Sequence, residues 1–306
     1  MQSYDVIIIG AGPAGLTSAL YSARSKLNTL YLETLGAGGQ VAATDEIENY
    51  PGFSRGISGF DLSLQMEEQA LRFGAKPLLT KVLGLELADP YRIVKTTKGD
   101  FIGKIIIIAS GAAPKPLNCP GELTYRTRGV SYCATCDGPF YEASNIVVVG
   151  GGNSAVEEAC YLTKFANKVS LVHRRDALRA TKIIQDRALT NPKLEFIWNT
   201  VIHEIKGDEM VQNVILRNLL TKQLTEMPVN GIFIYVGNEP NTSFVKSLIE
   251  LTEEGYIQTD EFMRTNIPGI YAVGDVRQKL LRQVVTAVSD GAIAAYHGEK
   301  YIEEHF

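Results

Sequence analysis

Hydrophobic positions in this chain cluster into short aliphatic runs, and the first run, residues 6–9, leads straight into a glycine turn. A helical spacing of apolar residues follows over 13–23, and a second strand-like stretch covers 29–33. Runs of this length, bounded by turn residues, are typical of buried parallel strands. Strand, glycine turn, helix and strand in this order predict the opening of a βαβ unit.

The same pattern occurs a second time, with Gly150 in the place of Gly10 and the helix and second strand within 154–173. Both copies close on strand-like segments with a turn between them, at 92–109 and 211–236. A repeated βαβ opening indicates two similar nucleotide-binding halves. We therefore predict an α/β protein with two Rossmann-like, three-layer domains.

Two stretches rich in glycine and proline, at 111–116 and 237–242, are the candidate linkers between the halves. A helical pattern near the C-terminus, over 283–303, is too short to form a third domain, so we expect it to return and complete the first. The predicted domains are 1–113 with 244–306, and an inserted domain at 114–243.

Composition and charge exclude several classes of function. The 306 residues include 30 basic and 34 acidic side chains, a slightly negative balance that does not favour binding to nucleic acid or to anionic lipid. The longest aliphatic run, 105–108, is far shorter than the ~20 residues that cross a bilayer. A strand pattern that begins almost at Met1 leaves no room for a targeting leader, so we expect a cytoplasmic protein.

The first glycine turn has the spacing G-x-G-x-x-G, which suits a tight turn, a close approach to a pyrophosphate and close packing of helix on strand. Glu33 ends the second strand, where a ribose hydroxyl needs an acceptor. The alternatives are a chance glycine turn and a solvated glutamate at a strand end. The residues that we expect to contact a dinucleotide here are Gly10, Gly12, Pro13, Ala14, Gly15 and Glu33.

The second glycine turn lacks an acidic residue at the matching strand end and has a basic cluster there instead. Arginine suits the planar, multidentate contacts of a phosphate, and at this position it accommodates the 2′-phosphate of NADP. The alternative is that these are ordinary basic residues on a solvent-facing loop. The residues predicted to bind NADPH are Gly150, Gly152, Asn153, Ser154, Ala155, His173, Arg174, Arg175 and Arg179.

Two of the four cysteines, Cys133 and Cys136, form a C-x-x-C that Asp137 follows directly. Zinc would need two further ligands, and the sequence has no second C-x-x-C and no H-x-x-x-H, so we expect no metal. Dithiol exchange needs only this pair and a group that trades a proton, a role open to Asp137. The alternative for Asp137 is a carboxylate that caps a turn or helix. Cys119 and Cys160 match no function.

Three segments together resemble low-molecular-weight thioredoxin reductases: Ser131-Tyr-Cys-Ala-Thr-Cys-Asp-Gly138, the His-Arg-Arg-x-x-x-Arg of 173–179, and Arg282-Gln283 after Gly274-Asp275. The resemblance spans essentially the whole chain. Its most specific part is the C-x-x-C in the second half, since the glutathione-reductase type has its redox cysteines near the start of the first half. Here that region reads Gly-Gly-Gln at 38–40 and has no cysteine.

The resemblance implies an FAD-binding domain at 1–113 and 244–306 and an NADPH-binding domain at 114–243 that also carries the redox cysteines. Electrons would pass from NADPH to FAD, to the Cys133–Cys136 disulfide and on to thioredoxin or a similar small dithiol protein, with the sulfur of Cys136 nearer the flavin. It also implies a homodimer and a hinge at the two linkers. The FAD contacts that it implies are Glu33 on the adenosine ribose, Asp275 on a ribityl hydroxyl, and Gln40, Asn49, Gly274, Arg282, Gln283 and Val284 on the flavin side.

Two kinds of rival function stay open on sequence alone. One is an enzyme of the same fold with another acceptor or donor: a peroxiredoxin-linked reductase, a small-molecule dithiol oxidase or a ferredoxin-driven reductase, the last disfavoured by the arginine cluster. The other is a non-catalytic, dinucleotide-sensing regulator with a structural zinc at the C-x-x-C.

Overall fold

The computed structural model describes residues 1–44 and 46–306, and only the backbone at Ala43. It divides into two compact units, Met1–Ala113 with Glu239–Phe306, and Pro114–Asn238. Residues 239–243, which the sequence assigned to the inserted domain, belong to the first unit. The reason is local: the Asn241 side chain donates to the Ser110 carbonyl at 2.8 Å, and the Ser110 hydroxyl donates to the Asn241 carbonyl at 2.7 Å.

In each unit, helices separate the first strands, and a run of consecutive strands follows. The strands in chain order are β1 (Gln2–Ile9), β2 (Thr29–Glu33), β3 (Lys76–Leu79), β4 (Val82–Ala88), β5 (Tyr91–Thr96), β6 (Gly99–Ile108), β7 (Ala112–Pro114), β8 (Val130–Ser131), β9 (Asn145–Gly150), β10 (Lys168–Val172), β11 (Leu194–Ile197), β12 (Thr200–Gly207), β13 (Val211–Asn218), β14 (Leu224–Pro228), β15 (Gly231–Tyr235), β16 (Asn238–Pro240) and β17 (Ile270–Ala272). The α-helices are α1 (Pro13–Arg24), α2 (Gly59–Arg72), α3 (Ala134–Asp137), α4 (Asn153–Leu162), α5 (Lys182–Leu189) and α6 (Val284–His305). Short 3₁₀ helices cover Gly39–Ala43, Gly138–Tyr141 and Gly274–Val276.

A parallel sheet in the order β3-β2-β1-β6 forms the centre of the first unit, and β17 pairs in parallel with the C-terminal half of β6. The N-terminal half of β6 instead pairs antiparallel with β5, which continues to β4. The central strand is buried on both faces: Ile105 and Ile107 pack toward one apolar cluster, Ile106 and Ile108 toward the other. Burial on both faces explains why this strand reads as a continuous aliphatic run.

Helix α6 completes the first unit by packing on α1 and β6 through small residues. A Cβ on Gly291 would lie 2.3 Å from the Ala14 carbonyl oxygen, and a Cβ on Gly298 would lie 2.3 Å from the Ile105 side chain. The Ser18 hydroxyl donates to the Gly291 carbonyl at 3.2 Å. The C-terminal segment therefore returns to the first unit because glycines allow close contact there.

The second unit repeats this plan on a parallel sheet in the order β11-β10-β9-β15-β8. Ile146 and Val148 of β9 belong to the apolar cluster with α4, whereas Val147 and Val149 belong to the cluster with the antiparallel sheet β12-β13-β14. The predicted α/β class with Rossmann-like, parallel-stranded halves is confirmed. Among the described residues, no helix is long and apolar enough to cross a membrane.

We expect Gly15→Ala to destabilise the first unit. The added methyl group would lie 1.9 Å from the Gly10 carbonyl oxygen, so helix α1 would have to shift, and overpacking of this kind costs about 1–3 kcal/mol. Thermal unfolding followed by circular dichroism should give a lower Tm. Gly36→Ala is the matched control, since a Cβ there meets nothing within 4 Å; equal Tm values for the two variants would contradict the packing role of Gly15.

Candidate functional site

The three glycines of the first turn have different surroundings. Gly10 has φ +110°, and a Cβ on it would lie 2.3 Å from the Ala109 carbonyl oxygen, so both conformation and packing require glycine. Gly15 is required by its contact with Gly10. Gly12 is different: a Cβ there would meet only the Gly38 carbonyl, at 3.9 Å. The space over Gly12 at the start of α1 is open to a ligand, and a helix N-terminus favours a phosphate.

Glu33 lies directly beside this turn. Its carboxylate accepts a hydrogen bond from the Ala11 amide at 2.9 Å and another from the Thr34 amide at 2.5 Å. These bonds hold the side chain at the glycine turn, and an ionised carboxylate can accept more than two hydrogen bonds. The position fits the predicted acceptor for a ribose hydroxyl.

Among the residues expected on the flavin side, the structure shows Asn49 and Gln283 in contact with each other, and Gln40 and Arg282 in contact with other residues of the first unit. The Asn49 amide donates to the Gln283 side chain at 3.0 Å, and the Gln40 amide donates to the Ala112 carbonyl. The Arg282 guanidinium lies 4.2 Å from the centre of the Tyr256 ring, while its Nε is buried and has no hydrogen-bond partner in the described part of the chain. An unpaired buried donor is costly, so this nitrogen fits an acceptor on a bound ligand.

The Gly274–Asp275 turn is supported by residues that sequence reasoning missed. Gly274 has φ +71°, and its amide donates to the Asp290 carboxylate at 2.9 Å. Asp290 also accepts from Lys279 at 2.7 Å. Burial raises the pKa of Asp275, although the charges of Lys279 and Arg282 act against that rise. A lone aspartate inside the apolar stretch of α6 was the sequence signal that could have identified Asp290.

In the second glycine turn, as in the first, one glycine is closely packed and another has open space beside it. A Cβ on Gly150 would lie 2.5 Å from both the Tyr235 carbonyl oxygen and the Ala155 Cβ, so these residues serve close packing. A Cβ on Gly152, the N-cap of α4, would meet nothing within 4 Å. The open position again lies where a helix begins, which fits a second phosphate group.

His173 and the three arginines of the basic cluster have different environments. His173 is 4% exposed, and its ring lies so close to Gly151 that a Cβ there would be 2.2 Å from Cε1. Burial lowers its pKa, and its Nε2 has no hydrogen-bond partner among the described residues. Arg174, Arg175 and Arg179 are exposed, with no side-chain hydrogen bond or ion pair to another described residue. Their guanidinium groups are thus open to an anion.

Backbone contacts hold this basic segment against the glycine turn. The Arg179 amide donates to the Gly151 carbonyl at 2.7 Å, and the Thr181 amide donates to the Asn153 side chain at 2.8 Å. Asn153 and Ser154 are exposed at the start of α4, whereas Ala155 is buried. The structure therefore brings the predicted residues of this half together around one turn, with Ala155 in a packing role.

Cys133 and Cys136 form a disulfide at the start of the short helix α3. The Ser131 hydroxyl accepts from the Cys133 amide at 3.1 Å and donates to the Asp137 carboxylate at 2.6 Å. Asp137 is thereby held beside residues 133–136, which we call the redox turn, rather than turned into solvent. A serine two residues before the first cysteine was the available signal for this contact, and sequence reasoning assigned it no role.

Tyr235 also contacts the redox turn and was missed. It ends β15, pairs with Gly150 in the sheet, and its hydroxyl accepts from the Ala134 amide at 2.5 Å. Burial, with the nearby charges of Glu158 and Asp137, raises its pKa well above the ordinary value. The same residue therefore contacts the second glycine turn through its backbone and the C-x-x-C through its side chain.

The other two cysteines lie in environments that suppress thiol chemistry. Burial raises the pKa of Cys119 to about 11 and also raises that of Cys160. The thiolate is the reactive form, so both are poor nucleophiles at neutral pH. Within residues 1–44 and 46–306, no group of His, Cys, Asp and Glu side chains is arranged to hold a metal ion.

Comparisons with known proteins find several thioredoxin reductases that are similar to this chain over nearly its whole length. Residues 4–291 match the family Pyridine nucleotide-disulphide oxidoreductase. The chain is 50% identical to a thioredoxin reductase of Peptoclostridium litorale, over 99% of this chain and 98% of that protein, and 47% identical to the one of Bacillus subtilis, over 98% and 95%. The crystal structure of thioredoxin reductase from Streptococcus pyogenes matches with a TM-score of 0.95 and 50% identity, over 99% of both chains.

We expect Gly12→Val to leave the protein folded but free of flavin. The Cβ of the valine would come no nearer than 3.9 Å to an atom outside the adjacent residues, the Gly38 carbonyl oxygen, so circular dichroism should match that of the wild type, while the methyl groups occupy the space over the turn. The flavin absorbance of the purified variant should be lost, whereas the wild type should be yellow with about one FAD per chain. A colourless, folded wild type, or a yellow Gly12→Val variant, would contradict a dinucleotide site at this turn.

Proposed function

Since the chain belongs to the pyridine nucleotide-disulphide oxidoreductase family and, within it, to the thioredoxin reductases, we propose that it reduces oxidised thioredoxin, or a similar small dithiol protein, with electrons from NADPH that pass through FAD and the Cys133–Cys136 disulfide. The observation that carries the proposal is this disulfide across a C-x-x-C, with Asp137 held beside it by Ser131. The proposed FAD-binding domain is the first unit, Met1–Ala113 with Glu239–Phe306, and the proposed domain for NADPH and the redox cysteines is the second unit, Pro114–Asn238.

The proposed FAD site combines an open phosphate position with polar groups suited to a ribose and a flavin. Gly12 leaves room for the pyrophosphate, Glu33 accepts from the ribose, and Asp275 accepts from the ribityl chain. Arg282 has a buried Nε that needs an acceptor, which supports a place at the flavin ring, close to Asn49 and Gln283. When bound, FAD accepts a hydride from NADPH and supplies the electron pair that opens the disulfide.

The proposed electron donor is NADPH rather than NADH or ferredoxin. Gly152 leaves the pyrophosphate position of α4 open, and the guanidinium groups of Arg174, Arg175 and Arg179 have no partners in the part of the chain that is described. Three unpaired guanidinium groups favour the extra 2′-phosphate of NADPH. His173 supports the site in another way, because its buried ring fills the space beneath Gly151.

The chain's own residues perform the thiol chemistry of the second half-reaction. In the reduced dithiol, one thiolate attacks a sulfur of the partner disulfide and forms a mixed disulfide. The second cysteine then attacks the cysteine sulfur of that bond, restores the Cys133–Cys136 disulfide and releases the partner as a dithiol. Two protons move from the cysteine thiols to the partner thiols, and the Asp137 carboxylate accepts and returns a proton in this exchange.

The assembly and the compartment are further parts of the proposal. The family resemblance supports a homodimer. A reductase that keeps a dithiol partner reduced works in a reducing compartment, which supports the cytoplasm. Neither part affects the electron route through the residues named above.

Donor preference should depend on the arginine cluster. Replacing Arg174 and Arg175 together by alanine should remove a charge-assisted interaction with the 2′-phosphate worth about 1.5–3 kcal/mol in total, so kcat/KM for NADPH should fall roughly tenfold to a hundredfold, with little change for NADH. Steady-state rates with each nucleotide measure this. Arg217→Ala, an exposed arginine on β13, is the control. Equal use of both nucleotides by the wild type would refute the NADPH assignment.

Thioredoxin reduction should require Cys133, Cys136 and Asp137. Cys133→Ser or Cys136→Ser should abolish it while NADPH still bleaches the flavin, because neither glycine turn is changed. Asp137→Asn should slow only the thiol half-reaction, by about 10²–10⁴-fold, the usual value of a proton-transfer group.

Stopped-flow spectra separate the two half-reactions, and Cys160→Ser is the matched control, since it removes a free thiol from the same unit. A Cys133→Ser/Cys136→Ser double variant that still reduces thioredoxin at the wild-type rate would remove this pair from the mechanism. Stoichiometric zinc in place of flavin in the wild type would instead support a regulator.

A further inference from the structure

Asp290 is a buried carboxylate for which the proposed reaction has no use. It is 6% exposed and lies on α6, and the side chain of its partner Lys279 is 7% exposed. Its oxygens accept from Lys279 at 2.7 Å and from the Gly274 amide at 2.9 Å, with Arg277 at 3.4 Å. A buried ion pair costs desolvation energy, and loss of one partner leaves an uncompensated charge. That charge must then find another partner within the cluster.

Asp275 is the other anion in this cluster. Burial raises its pKa, the positive charges of Lys279 and then Arg282 oppose the rise, and the negative charge of Asp290 adds to it. The charge of Lys279 therefore opposes the rise in the pKa of Asp275, and the same ammonium group forms an ion pair with Asp290. Without the charge of Asp290, the anion left for this ammonium group is the partly buried Asp275, whose charge already interacts with that of Lys279.

We propose that Asp290 is a positioning residue that binds Lys279 and so leaves the Asp275 carboxylate available to a hydroxyl group of the bound flavin nucleotide. The inference rests on the proposed function, which assigns Asp275 to the ribityl chain. Asp290 does not contact the ligand in this scheme. Its bond to the Gly274 amide also fixes the turn that carries Asp275, and that turn lies close to α1, since a Cβ on Gly274 would be 2.9 Å from the Ala14 Cβ.

The two contributions of Asp290 can be separated by a pair of variants of the full-length holoprotein. Asp290→Asn removes the charge and should free Lys279 to pair with Asp275, so FAD should bind about 10- to 100-fold more weakly, the range expected for loss of a charge-assisted hydrogen bond. Adding Lys279→Met removes the competing cation, so the double variant should recover FAD affinity to within roughly tenfold of the wild type. FAD released on dilution, measured by its fluorescence, gives the dissociation constants.

The FAD affinities of these variants decide whether Asp290 controls Lys279. Asp290→Asn that binds FAD like the wild type would overturn the inference. A double variant that binds FAD as weakly as Asp290→Asn would also overturn it, because Asp290 would then support only the turn and not control Lys279. A folded wild type that binds no FAD would overturn the proposed function itself, which is a different result.

The double variant also guards against a loss of fold. If Asp290→Asn does not fold by circular dichroism, the double variant, which removes both charges of the buried pair, carries the test: it should keep FAD affinity within roughly tenfold of the wild type, and loss of FAD from the folded double variant would overturn the inference. Glu86→Gln is the matched control. It breaks the exposed Lys95–Glu86 ion pair of the same unit, whose side chains are 48% and 51% exposed, and it should leave FAD affinity unchanged.

Discussion

The close approach of helix to strand at the glycine turns is the constraint on which both halves of the chain depend. In the first unit a side chain on Gly15 would overlap the Gly10 carbonyl, and one on Gly10 would overlap Ala109. In the second, Gly150 has the same relation to Ala155 and Tyr235. Close packing brings the first turn of each helix to the C-terminal edge of a parallel sheet, where its amide groups can meet a phosphate. The open positions at Gly12 and Gly152, where we propose that the phosphates bind, follow from that packing.

Buried polar groups in this chain differ in whether neighbouring residues satisfy their hydrogen bonds. Glu122 is buried, but its carboxylate is satisfied by the amides of Leu117 and Asn118 and by the Tyr132 hydroxyl. The Nε of Arg282 and the Nε2 of His173 are buried without such partners among the described residues. Because an unpaired buried polar atom is costly, the contacts of Glu122 stabilise the fold, whereas the Nε of Arg282 fits an acceptor on a bound ligand.

The redox turn shows how environment decides between cysteines of identical chemistry. Cys133 and Cys136 lie next to a carboxylate held by Ser131 and next to an amide held by Tyr235. Cys119 and Cys160 lie where burial disfavours the thiolate. Dithiol chemistry needs a thiolate and a group that exchanges a proton, so the surroundings of Cys133 and Cys136 suit it better than the surroundings of Cys119 or Cys160 do.

The amino-acid sequence by itself determined the strands, the glycine turns, the redox pair and the basic cluster, because each is a local pattern of residue type and spacing. Strand β2 has the predicted bounds, and helix α1 differs from its prediction by one residue. Tertiary structure alone decided that Asp290 supports the Gly274 turn, that Tyr235 binds the Ala134 amide, and that residues 239–243 belong to the first unit. These contacts join residues far apart in the chain, and they exist only once the sheets have formed and set the direction of each side chain.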